Sequence, residues 1–131
     1  MIQQYSAKVD RFGQAYAVLA AKAENNKVTL EYYLVFDHEG DPFIKGGILE
    51  VEEVLDQTLE TYVKEHVAES LPFMVLRYLV DNHEPDQLEN MEEVIFTEDQ
   101  GTAAELNAKF PQMASMIAQK CNDADLKALF I

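Results

Sequence analysis

The chain has 131 residues, with 24 acidic and 10 basic side chains and a formal net charge of -14. That length predicts a single domain over 1–131, and one cysteine excludes an intrachain disulfide framework or a cysteine-rich zinc site. A chain this acidic repels phosphate, which argues against nucleic acid. No apolar run reaches the roughly 18 residues a membrane span needs, and no apolar segment marks a signal peptide, so the expected location is the cytoplasm.

The first 53 residues read as strands. Residues 4–9 alternate weakly, as an edge or half-buried strand does. Residues 14–23 are ambiguous, because their alanines favour helix while Phe12-Gly13 and Asn25-Asn26 bound them as short breaks. The Asn pair tolerates positive φ and suits a tight hairpin. Residues 28–36 give the clearest strand. Val28, Leu30, Tyr32, Leu34 and Phe36 fall on one face, and Thr29, Glu31, Tyr33 and Val35 on the other. A turn over 37–42 leads to a fourth strand, 43–51, interrupted by Gly46-Gly47. Such a pair marks a bulge, a bend or a close approach. The short breaks predict an antiparallel meander.

After Glu53 the period changes. Leu55, Leu59, Tyr62, Val63, His66, Val67 and Ser70 recur at helical spacing, predicting a helix over 54–69. Ser70 and Pro72 suit a second helix start. Residues 71–80 are apolar on nearly every side, so this helix is expected at a subunit contact through Leu76 and Leu79, in a dimer or tetramer. Residues 81–99 carry eight acids and no base, predicting a solvated loop with a short extended piece at 94–96. Thr102 to Glu105 matches a capping box, Pro111 restarts a helix, and Asp123 caps a last short one ending Leu129-Phe130-Ile131.

No constellation carries catalysis, and neither a cofactor nor a metal is expected. His66 reads as a partly buried histidine, and His38 and His83 as solvated residues of acidic loops. Cys121 reads as a small hydrophobe. Asp37, Glu39 and Asp41 match the first half of a calcium loop, but Pro42 and Ile48 stand where its turn glycine and bidentate Glu belong.

Several strings resemble the SecB-type preprotein translocation chaperones over roughly residues 3–96. Gly46-Gly47-Ile48 is similar to that family's Gly-Gly-Ile-Phe segment. Leu71-Pro72-Phe73 followed by Arg77 looks like its Leu-Phe-Pro-Tyr-Ala-Arg helix start, with the proline shifted by one. Pro85-Asp86-Gln87-Leu88 through Val94-Ile95-Phe96 resembles its Pro-Gln-Leu…Pro-Val-Asn-Phe loop, without that loop's second proline and asparagine.

The resemblance implies four antiparallel strands followed by helices, an acidic surface, and a non-enzymatic holdase for extended or non-native polypeptides. In that family the clients are secretory precursors or the antitoxin of a toxin–antitoxin pair. It also implies a partly exposed apolar groove beside Tyr33, Val35 and the Phe73 helix. Candidate client contacts are Tyr16, Val18, Tyr33, Val35, Phe73, Met74 and Leu76. Apolar residues at regular spacing are core first, so each has a structural reading too.

The expected architecture is α+β, a four-stranded antiparallel meander with helices on one face. A different class of function is an acidic inhibitor or immunity protein that meets one folded basic partner through 81–99. A small-ligand pocket between sheet and helices is a third reading.

Overall fold

The computed structural model describes residues 1–52 and 58–130. Four long strands follow one another: β1 (Ile2–Val9), β2 (Gly13–Glu24), β3 (Lys27–His38) and β4 (Asp41–Glu52). Each pairs antiparallel with the next, and a two-residue β5 (Thr97–Glu98) joins the far side of β1. The strand order is β4-β3-β2-β1-β5. Helix α1 (Leu59–Asn82) follows β4, and α2 (Thr102–Lys109), α3 (Pro111–Lys120) and α4 (Ala124–Ala128) close the chain. The α+β meander is the observed architecture, with β5 added at its edge.

Turn chemistry explains the register. Asn25 and Asn26 have φ of 50° and 61°, and Glu39 and Gly40 have 53° and 86°. Both pairs fit the left-handed two-residue turns that match strand twist. They leave Glu24 opposite Lys27 and His38 opposite Asp41. The ambiguous segment 14–23 is strand β2, the second strand in from β5's side of the sheet. Ala15, Ala17, Ala20 and Ala21 are buried, on both faces, where a helix on each side leaves room for small residues.

The expected bulge or positive φ at Gly46-Gly47 is not found. The register runs unbroken, Gly46 opposite Tyr33 and Gly47 opposite Tyr32. Neither glycine has positive φ. The reason for glycine is close approach. A Cβ at Gly46 would lie 2.5 Å from Cδ1 of Tyr33, and one at Gly47 would lie 3.0 Å from the Tyr32 hydroxyl. Two tyrosine rings lie across the bare backbone, one on each face of the sheet.

Helices cover both faces of the sheet, not one. On the first face α1 lays Val63, Val67, Leu71, Val75 and Leu79 onto Ala17, Leu19, Leu30, Leu34 and Phe36. On the second, α2, α3 and α4 bring Ala103, Leu106, Ala114, Ile117 and Leu126 onto Tyr16, Val18, Ala20, Tyr33 and Val35. The apolar second face of β3 is thus covered by the chain's own C-terminal helices.

Helix α1 also departs from expectation, because it is one helix and not two. It begins behind Thr58, whose hydroxyl accepts from the Thr61 N–H at 3.2 Å, and it continues through Pro72. An interior proline costs about 3 kcal/mol. Leu71 and Val75, on either side of it, are both buried against the sheet. Each contributes about 1.5–3 kcal/mol by leaving water, so the pair offsets the defect. The stripe position Leu55 and the terminal Ile131 lie outside the described residues.

The acidic segment is partly structured. It holds the end of α1, a short 3₁₀ turn (Pro85–Leu88) and β5. Arg11 donates to the Gln87 carbonyl and anchors the turn. Asp81, Glu84, Asp86, Glu89, Glu92, Glu93 and Glu98 are nonetheless exposed, as carboxylates without buried partners should be, with Asp81 beside Arg77 and Glu98 beside Lys64.

Candidate functional site

β4 sets the site. It is an edge strand twelve residues long, and none of its residues is buried, although it carries Phe43, Ile44, Ile48, Leu49 and Val51. Among the described residues no strand pairs with its outer side. Ile48 is 48% exposed and Leu49 38%. A long edge with free backbone groups and apolar side chains is a template for a further strand.

On the α3 side of this edge lies an open groove of about 380 Å³. Tyr33, Gly46 and Gly47 form its floor, Ile44 and Ile48 its strand wall, and Met116, Ile117, Lys120 and Asn122 its helix wall. Gly46 makes it, since a side chain there would collide with the Tyr33 ring. A larger polar hollow of about 660 Å³ sits at the β2–β3 turn, between Lys22, Asn25, Lys27 and Glu52, with nothing apolar to hold a ligand's body.

A buried carboxylate fixes the groove's helix wall. Glu31 is 5% exposed on the same face as Tyr33. Its oxygens accept from the backbone N–H groups of Asn122 and Asp123 at 2.9 Å each, and from the Tyr33 hydroxyl at 2.7 Å. Burial, then this hydrogen bond, push the Tyr33 phenol well above its ordinary range. Asp123 in turn accepts from the Leu126 N–H at 2.9 Å and pairs with Lys22 at 3.3 Å. The cap hydrogen bond, more than the lysine, holds its carboxyl below the usual range. Sequence reasoning passed over Glu31, and the signal available was one acid among the apolar residues of β3.

Four of the seven sequence-derived client contacts are not surface. Tyr16, Val18, Tyr33 and Val35 are buried beneath α2, α3 and α4, so they offer a client no open face. Tyr33 alone reaches the groove. Met74 is half-buried against the α1 core. Phe73 and Leu76 are exposed, at 66% and 41%, and Val80 continues their row along α1. Leu79, the other expected interface residue, is fully buried in the chain's own core and faces the sheet.

The histidines also differ from expectation. His38 and His83 are not independent solvated side chains. His38 ends β3, His83 caps the end of α1, and their Nε2 atoms stand 2.7 Å apart. With Glu39 they form a group whose potential ligand atoms all lie within 4.8 Å of one another. His66 is half-buried, and desolvation holds its imidazole below the ordinary value. Burial pushes the Cys121 thiol up to about 11, which leaves it protonated and inert at neutral pH.

The capping box at Thr102 is replaced by another arrangement. Thr102 is the first helical residue, and its hydroxyl donates to the Tyr5 carbonyl at 3.1 Å. The neighbouring Ala103 N–H donates to Gln4 Oε1 at 2.8 Å. No helix among the described residues is long and apolar enough to cross a membrane. No family model, curated protein or solved structure matches this chain.

Proposed function

We propose that this protein binds extended, non-native polypeptide without catalysis, as the SecB-like resemblance implies, and that the bound segment adds as a strand along β4. The supporting observation is the twelve-residue edge with no buried residue, lying beside an apolar groove. Main-chain hydrogen bonds along an edge are indifferent to sequence, and alternate side chains of the guest fall into the groove. That combination suits a binder of many clients. The net charge of -14 keeps such an apolar surface in solution and favours clients with basic residues. Self-association belongs to the same reading, with Phe73, Leu76 and Val80 on the outer side of α1 as its contact.

The test is suppression of aggregation of several unrelated unfolded clients at near-stoichiometric ratio, without ATP. Ile48→Lys combined with Met116→Lys is expected to remove the activity while far-UV circular dichroism stays unchanged. Absence of activity toward every client rejects the reading. Tight, strongly salt-sensitive binding to one folded basic protein would instead favour an inhibitor acting through the exposed acids of 81–99.

A further inference from the structure

We propose that His38, Glu39 and His83 form a binding site for one divalent transition-metal ion of the zinc class. The three residues come from two separate parts of the fold. His38 and Glu39 lie where β3 turns into β4, and His83 directly follows α1. Their side chains converge, with 2.7 Å between the two imidazole Nε2 atoms and 3.7 Å from His38 Nε2 to Glu39 Oε2.

The donor set selects the ion. Two imidazoles and one carboxylate suit zinc, cobalt, nickel or copper, whereas calcium and magnesium require a shell of oxygens. On a tetrahedral ion with bonds of about 2.0–2.1 Å, two imidazole nitrogens stand about 3.3 Å apart. The two nitrogens therefore need to part by about 0.6 Å from their present contact, with the rings turning toward the ion. Without metal the same contact is a hydrogen bond, one ring donating and the other accepting.

The rings are held for this purpose by their surroundings. His38 packs edge-on against Tyr78 at 5.2 Å, and Phe12 packs edge-on against His83 at 4.8 Å. The two imidazoles stand 84° apart in plane, so they meet edge-on and are not stacked. The His38 side chain is 12% exposed and Glu39 56%, so the ion would be walled on the protein side and open to water on the other. Three protein ligands and water complete a four-coordinate shell. A bound ion would pin the end of α1 to the turn from which β4 departs.

The experiment titrates the tag-free, metal-stripped full chain with Zn2+ by calorimetry and with Co2+ by visible absorption. One ion per chain is expected, with the intense bands of four-coordinate cobalt. His38→Gln and His83→Gln should each weaken binding more than about tenfold, and Glu39→Gln should weaken it less. Imidazole resonances give an independent reading on the wild type, which protects the test if a variant misfolds. Zinc should shift the rings of His38 and His83 and leave His66 as it was. Stoichiometry unchanged in the His38→Gln/His83→Gln double variant, or zinc shifts spread equally over all three histidines, overturns the site.

Discussion

The two faces of the sheet are built by different physics. The α1 face is assembled from one long helix whose buried residues, Val63, Val67, Leu71, Val75 and Leu79, repeat every fourth position. Apolar packing places its length, and the His38–His83 contact meets its end. The opposite face is covered by three helices of eight, ten and five residues, each too short to be stable alone. Buried polar contacts locate them: Gln4 and the Tyr5 carbonyl hold the start of α2, and Glu31 holds the turn between α3 and α4. A long helix needs only a stripe, whereas short helices need addresses.

That contrast is open to direct attack. The largest effect is expected at Leu71, which is 1% exposed at the centre of the α1 stripe. Leu71→Ala should destabilise by about 2–5 kcal/mol in denaturant unfolding, as core truncations do. A cost below about 1 kcal/mol would mean that α1 is not held by its stripe.

Glu31→Ala comes next, at about 1–3 kcal/mol, because it strands the Asn122 and Asp123 N–H groups and the Tyr33 hydroxyl. Its signature is regional. Hydrogen exchange should accelerate across α3 and α4 and leave α1 unaffected. Uniform acceleration would show that the faces unfold as one unit.

The smallest effect is a pH slope on α1. The folded-state value of His66 is lowered by burial, with Glu69 opposing. The unfolded chain therefore takes up its proton first as the pH falls. Stability is complete above about pH 6.5 and declines as the pH drops from there through the folded value. His66→Gln should flatten that part of the stability profile. An unchanged slope would assign it to the acidic groups.

Much of this fold is legible in the sequence where the cause is local. The alternation of β3, the left-handed Asn25-Asn26 turn and the Asp123 cap each depend on neighbours within a few residues. The strand state of β2 is not legible, because Ala15, Ala17, Ala20 and Ala21 satisfy helix propensity and a two-sided interior equally well. Coverage of the second face is hidden for a related reason: α2 and α3 bury alanines and a few larger residues, a weak periodic signal. Pro72 misleads because tertiary packing outweighs its local cost. The histidine pair and the Glu31 contacts join residues 45 and about 91 positions apart, which no short-range pattern records.

Those long separations order events during synthesis. The meander closes through turns of two or three residues, and α1 is the next element along the chain. The second face must wait for contacts between Gln4 and Ala103, 99 residues apart, and between Glu31 and Asn122, 91 apart. Loop-closure entropy makes such pairings late. While residues beyond about 101 are still in the ribosome, Tyr16, Val18, Tyr33 and Val35 stand uncovered on a finished sheet. The nascent chain therefore passes through a stage with an apolar face open to water, and the arrival of its C-terminal helices ends it.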